Sequence, residues 1–273
     1  MFTVTNVGAI PGSEAFLLLT PEKTALLDSG FSFCAPQMLE KISGLLGSRE
    51  LDYVLLTHSH YDHASGSIYC KGRWPGATIV GSQHTAKIFG KDSARDLMRR
   101  LNDSAARLNG QEQYLDCLAD LRVDRSVVEG DVIDLGSMQL RVLELPGHTR
   151  CSIGFYAEKD RLLLACETLG VVAGPDLVMP CCLVSYQLTL QAVERVAALP
   201  LQHMLLPHLG LLEGEDCARF LTNARYWLEE SRRRLRAAAA CGGTDAELLQ
   251  AFKDMFYTPQ TQQVQPEVAF DLN

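Results

Sequence analysis

The chain has 273 residues, 47% of them hydrophobic and 21% charged. One or two domains of that size bury their own core, which argues against a disordered chain or one that needs disulfides or metal to fold. Twenty-five Lys and Arg against 33 Asp and Glu leave a net charge of −8, which argues against a surface built for nucleic acid or an anionic membrane.

The first cation is Lys23, so the start lacks the basic segment of a secretory leader. Apolar runs such as Ala15–Leu19 fall far short of a bilayer span. Nine cysteines without a CxxC pair read as reduced thiols, most of them small buried residues, and a cytoplasmic location is expected. In chain order, short apolar runs predict strands at Phe2–Val7, Glu14–Leu19 and Thr24–Leu27, separated by Pro11-Gly12 and Ser29-Gly30. Pro36–Leu46 carries apolar residues at Met38, Leu39, Ile42, Leu45 and Leu46, the spacing of one helix face. Tyr53–Leu56 and Ala77–Val80 read as buried strands. A helix is expected over Ser93–Leu108, with a further helical turn through Cys117. Strands resume at Val127–Leu135, Gln139–Leu145, Ile153–Tyr156 and Leu162–Ala165. A helix at Leu188–Leu199 and a strand at Met204–Leu206 follow, then helices at Glu215–Ala240 and Asp245–Phe256 around Gly242-Gly243. Thr258–Asn273 reads as a surface tail. This order predicts an α/β core, residues 1–212, and a helical extension, residues 213–273. The basic stretch Arg232-Arg233-Arg234-Leu235-Arg236 follows Glu229 and Glu230 and reads as a solvated helix face.

The chemistry concentrates in Thr57-His58-Ser59-His60-Tyr61-Asp62-His63, directly after the run Val54–Leu56. Three imidazoles and a carboxylate within six residues suit zinc, iron or manganese, whereas calcium prefers an all-oxygen shell. His58 and His60, two apart, share a side in an extended segment. Downstream, His148 follows Pro146-Gly147, Glu167 follows Leu162–Ala165 and His208 follows Met204–Pro207, each where a predicted strand runs out. Strand ends at one sheet edge are where sites are built. Asp28, also at a strand end, is a candidate to orient a histidine or simply a turn cap. His84 and His203 read as ordinary, and Cys166 beside Glu167 as a small buried residue turned away from it. Cys181-Cys182 reads as two plain thiols.

In order and approximate spacing, the HxHxDH block, Gly147-His148-Thr149, the acidic residue after a strand and Pro207-His208 resemble the metallo-β-lactamase-fold hydrolases over residues 2–212. The resemblance implies an αββα sandwich and a two-metal site. His58, His60 and His148 would hold one divalent ion and Asp62, His63 and His208 the other, with Glu167 as the bridge. Zinc and iron are the expected metals, with manganese a third option. The family has Asp at the bridging position, in a Gly-Asp-Thr-like context, where this chain has Cys166-Glu167-Thr168. A carboxylate one methylene longer bridges if the strand end retracts, or else binds one ion alone.

The chemistry implied is hydrolysis by a metal-activated hydroxide, with Asp62 as the catalytic residue that orients it and carries its proton to the leaving group. The stretch Ser82–Gln113, with Ser93-Ala94-Arg95, the motif His208-Leu209-Gly210-Leu211-Leu212-Glu213-Gly214 and the terminal helical pair are similar to PqsE-like quinolone-signal response thioesterases. That narrower resemblance implies iron, a thioester or carboxylic ester substrate, and helices that cap the pocket. Leu97, Leu101, Phe220 and Trp227 are its candidate lining residues, or plain helix packing. Phosphodiester or lactone hydrolysis, iron-dependent sulfur oxidation, and a regulatory role through a binding partner stand as alternatives. A small-molecule substrate is expected, with no nucleic acid or membrane partner; the oligomeric state, a homodimer included, stays open.

Overall fold

The computed structural model describes residues 2–111 and 113–272. The chain divides into two compact units: the residues up to Glu144 with Cys151–Leu164, and Leu145–Arg150 with the residues from Ala165 on.

The first unit begins with β1 (Thr3–Asn6), β2 (Phe16–Leu19), β3 (Thr24–Leu27), α1 (Ala35–Leu46) and β4 (Tyr53–Leu55). It continues through α2 (Tyr61–Ala64), α3 (Ser67–Arg73), β5 (Thr78–Ser82), α4 (Gln83–Phe89), α5 (Asp92–Leu108) and β6 (Arg125–Val127). Strands β1 to β6 form one sheet in sequence order, antiparallel as far as β3 and parallel from β3 onward. Leu17, Leu26, Val54 and Ile79 stand in register across β2, β3, β4 and β5. All four join one buried cluster with Met38, Ile42 and Leu46 of α1 and Ile68 and Cys70 of α3. The alternate residues Leu18, Leu27, Leu55 and Val80 are buried as well, which is why these strands read as continuous apolar runs. Met38, Ile42 and Leu46 recur every fourth residue, so α1 lays a single stripe on the sheet.

A second ladder in the same unit joins β7 (Val132–Asp134), β8 (Gln139–Glu144), β9 (Ile153–Ala157) and β10 (Leu162–Leu164), antiparallel throughout. The two sheets of this unit are tied by Thr20 Oγ1 donating to the Leu135 carbonyl at 2.8 Å and Ile153 N donating to the Thr57 carbonyl at 2.9 Å.

The second unit holds β11 (Val171–Gly174), β12 (Leu177–Met179), α6 (Tyr186–Ala197), β13 (His203–Leu206) and β14 (Gly210–Glu213). It closes with α7 (Glu215–Ala240), α8 (Asp245–Phe256), α9 (Pro259–Val264) and α10 (Glu267–Leu272). β11–β12 and β13–β14 are antiparallel hairpins. The bounds of α7 and α8 coincide with the expected helices. The mixed α/β fold with C-terminal helices is as expected, and the expected boundary at 212/213 falls inside the second unit. Among the described residues, no helix is long and apolar enough to cross a membrane.

Several local expectations are corrected. Val127–Leu135 is not one strand: Asp131 turns the chain, its carboxylate accepting from Val128 N at 2.9 Å, and Gly130 takes φ +85°. The further helical turn expected through Cys117 is absent among the described residues of that stretch, from which Glu112 is left out; a 3-10 turn follows at Leu118–Asp120. Residues 258–272 are not a surface tail; Asn273 lies outside the described residues. Thr258 caps α9, with Pro259 in its first turn, and Phe270 of α10 is buried against Phe256 and Met179.

Candidate functional site

β3 and β4 run parallel, so their carboxyl ends emerge side by side, and the candidate residues of the first unit stand there. Asp28 leaves β3, and its carboxylate accepts from Thr57 N and from Thr57 Oγ1, both at 2.8 Å. The other link is to His63, whose Nδ1 lies 2.9 Å from Asp28 Oδ2. Thr57 Oγ1 also lies 3.0 Å from His58 Nδ1. Since the threonine proton points to the carboxylate, its oxygen accepts from His58 Nδ1–H. One buried aspartate therefore sets two imidazoles, His63 directly and His58 through Thr57, and leaves the Nε2 of each as the lone-pair nitrogen.

The loop closes as a short helix. His60 caps α2, Ser29 N donates to the His63 carbonyl at 2.6 Å, and Ser29 Oγ does so at 2.9 Å. Gly66 then crosses the Ser29 carbonyl so closely that a Cβ would sit 2.0 Å from that oxygen. From α5, the buried Asn102 accepts from Ser32 N at 2.8 Å and donates to Ser65 Oγ at 2.9 Å, bracing both sides of the loop. The His58 ring centroid lies 4.6 Å from that of His60 and 4.2 Å from that of His63. His58 and His60 each offer a ligand atom within 4.8 Å of the other, as do Asp62 and His63. His58 and His63 are buried, His60 and Asp62 half-buried. Burial pulls the His63 pKa down, but the charges of Asp62 and Asp28 outweigh it and raise the group well above its ordinary value. A site with that much negative charge around its imidazoles calls for a cation.

In the second unit three separate segments meet. Glu167 opens a 3-10 turn and is 2% exposed. One of its oxygens, Oε2, lies 2.9 Å from His148 Nε2; the other, Oε1, lies 3.2 Å from His208 Nε2. Each oxygen of this buried carboxylate thus faces a different imidazole. His148 is placed by its neighbours. Gly147 has φ +150°, and a Cβ there would stand 2.8 Å from Thr189 N and 2.8 Å from its Cα. Its carbonyl accepts from Val184 N and Ser185 N at the start of α6. Thr168 Oγ1 donates to the Leu145 carbonyl at 2.7 Å and accepts from His148 N at 3.4 Å. His208 holds φ +59°, a conformation that a non-glycine residue keeps only where its surroundings fix it.

The donor set fits a divalent transition metal. It consists of carboxylates and imidazole nitrogens, and those of His58 and His63 have their tautomers set from behind. The remaining expectations fall out simply. Asp28 orients histidines as well as forming a turn, at φ +54°. His84 is exposed, and His203 Nδ1 meets Glu213 Oε1 at 3.2 Å across the β13–β14 hairpin. Cys166 is fully buried. Burial, with the Glu167 charge added, holds the Cys181 thiol well above its usual pKa, so it stays protonated. Leu97 is 49% exposed, while Phe220 is buried. Sequence reading quoted Thr57, Gly147 and Thr168 within its motifs but gave them no role; a small polar residue or glycine beside a candidate ligand was the only signal.

The model of the metallo-beta-lactamase superfamily matches residues 11–202. The hydroxyacylglutathione hydrolase of Chelativorans sp. (strain BNC1) is 27% identical over 168 residues, 61% of this chain and 51% of that protein. The hydroxyacylglutathione hydrolase of Acidiphilium cryptum (strain JF-5) is 30% identical over 148 residues, 54% of this chain and 46% of that one. The chain thus spans about half the length of the curated relatives it matches. A metallo-beta-lactamase family protein of Thermus thermophilus has a similar fold, with TM-score 0.64 at 20% identity, covering 98% of this chain and 91% of its own. So does an archaeal superfamily member from Sulfolobus tokodaii, with TM-score 0.62 at 18% identity and coverage of 84% and 85%. Because the superfamily match runs from residue 11 to residue 202, it takes in the loop at 58–63, His148 and Glu167 together: the chain belongs to the metallo-β-lactamase superfamily.

Proposed function

We propose that the chain is a metal-dependent hydrolase that cleaves a thioester or carboxylic ester of a small molecule at a pair of divalent cations. The observation that carries this reading is Glu167, with His148 on one oxygen and His208 on the other. In the proposed site His148 would join His58 and His60 in holding one ion and His208 would join Asp62 and His63 in holding the second, with Glu167 available to both. The relatives named hydroxyacylglutathione hydrolase support thioester chemistry. The narrower likeness to quinolone-signal response thioesterases rests on the sequence stretches alone.

When bound, two such cations would supply Lewis acidity and make water a nucleophile near neutral pH. The chain's own part begins with Asp28, which keeps Nε2 of His58 and His63 as the donor atoms. Asp62, 3.4 Å from His63 Nε2, is half-buried and takes the proton released on attack, then returns it to the departing sulfur or oxygen. A thiolate is a good leaving group, with a pKa near ~8.5, so a weak acid such as Asp62 suffices for a thioester. The residues from 213 on act as a helical extension that caps the site, and the reaction takes place in the cytoplasm.

Elemental analysis and turnover test this together. The purified protein carries two equivalents of zinc or iron per chain, or manganese in their place, and hydrolyses a panel of acyl thioesters. His60→Ala lowers turnover by more than the roughly 10–100-fold that an outer-shell change causes, with an unaltered circular dichroism spectrum. One equivalent of metal would assign Glu167 to a single ion. Cleavage of phosphodiesters or lactones in place of thioesters would move the substrate class, and full activity of His60→Ala would overturn the reading.

A further inference from the structure

A cavity of about 200 Å³ lies wholly within the second unit, between the β11–β12 hairpin and α7. Its apolar wall is formed by Val172, Leu177, Val178, Leu209, Leu212 and Phe220. It begins one residue beyond His208, since Leu209 lines it, and that histidine touches Glu167. The link between the recess and the proposed metal pair is this one step of chain from His208 to Leu209.

The rim is charged but internally satisfied. Arg219 lies 3.0 Å from Asp216 and 3.6 Å from Asp176. Asn223 donates to Asp176 at 3.1 Å, and the Trp227 indole donates to the Asp176 carbonyl at 2.8 Å. These residues recur at helical spacing along α7 and pin the hairpin tip, where Asp176 holds φ +54°. Two carboxylates share the single arginine of the lining, so the rim has a net charge of one minus and repels an anionic substituent. An engineered cavity of ~150 Å³ lined by apolar side chains takes up benzene; on that scale this one holds about six to eight heavy atoms.

We infer that this cavity is the acyl subsite and selects an uncharged apolar acyl group of about six to eight carbons. The inference rests on the thioesterase reading and deepens it: the preferred substrate is a medium-chain acyl thioester rather than one with a hydroxylated or carboxylated acyl group. One buried methylene changes a specificity ratio by about 10- to 200-fold in a shaped apolar pocket, so chain length is the discriminating variable.

The test uses straight-chain acyl esters of one thiol, from two to twelve carbons, with the metal-loaded full chain. The kcat/KM profile peaks at six to eight carbons, and the glutaryl thioester is at least about tenfold poorer than the pentanoyl one. Val172→Phe, which fills the recess from β11, lowers the octanoyl-to-butanoyl ratio at least about tenfold, and Phe220→Ala moves the peak to longer chains. Neutral hexanamide serves as a separate binding probe, read by the fluorescence of Trp227 on the rim. It binds saturably to the parent protein and at least about tenfold more weakly to Val172→Phe, whose fold is checked by circular dichroism. A flat length profile untouched by either variant, or hexanamide binding that Val172→Phe leaves unchanged, overturns the inference while leaving the thioesterase reading intact. Hexanamide binding that Val172→Phe weakens, with no thioester cleaved at any length, overturns the thioesterase reading and keeps the apolar subsite.

Discussion

The two units present their imidazoles by different means. In the first, His58, His60 and His63 fall within six residues, and the order comes from side chains: Asp28 holds His63 directly and His58 through Thr57. In the second, residues 148, 167 and 208 arrive from three separate segments, and the order comes largely from the backbone. Gly147 occupies a conformation and a space that no side chain fits, His208 holds φ +59°, and the Glu167 side chain ties the two histidines together. A set ordered by side chains fails by losing its donors' orientation; a set ordered by backbone fails by losing the segments themselves. The two units should therefore respond differently to equally conservative substitutions.

The largest effect is expected at the side chain that holds the second set together. Glu167→Gln keeps the shape and removes the charge that faces His148 and His208. Bound metal, measured by elemental analysis after dialysis, falls by at least one equivalent, and turnover drops more than the roughly 10–100-fold of an outer-shell change. Retention of both ions at parental affinity would mean that Glu167 anchors neither. Asp28→Asn comes next. It leaves every proposed ligand in place but offers an amide where Thr57 N, Thr57 Oγ1 and His63 Nδ1 direct three protons at the carboxylate. Metal affinity weakens about 10- to 100-fold, measured by competition with a chelator, and activity returns when the metal concentration is raised. Failure of added metal to restore it would show that Asp28 acts on the fold and not on the histidines.

The same contrast explains what could be read from the sequence. The cluster at 58–63 was legible because its residues are neighbours in the chain and follow an apolar strand. His148, Glu167 and His208 were legible only because each stands where a strand ends, and the resemblance supplied the grouping. The relay from His58 to Asp28 was not legible, since it depends on the parallel register that sets Leu27 beside Leu55. Nor was the need for Gly147, which comes from Thr189, far along the chain on α6. The long helices α7 and α8 showed their period plainly, whereas the four-residue α2, the six-residue α9 and α10, and the short β11 and β12 are too brief to show one. Of the four residues picked as pocket lining, Phe220 does line a cavity, Trp227 donates to its rim, and Leu97 is exposed on α5.

The smallest effect is expected at Thr168, the second unit's counterpart of Thr57. Its hydroxyl is fully buried and joins the Leu145 carbonyl to the segment that begins at Glu167, with a longer contact from His148 N. Thr168→Val preserves the volume and strands that carbonyl, at a cost of about 1–3 kcal/mol. In a chain of this size each kcal/mol moves Tm by roughly 2–4 °C, so calorimetry should find a loss of a few degrees. Because the hydroxyl touches only the backbone of His148 and not its ring, metal affinity should change less than about tenfold, below the range expected of Asp28→Asn. A stability loss without a matching metal loss is the signature of a histidine placed by its main chain. If Thr168→Val instead releases metal as readily as Asp28→Asn, with Tm unmoved, the second unit orders its imidazoles through side chains after all, and the contrast between the two units disappears.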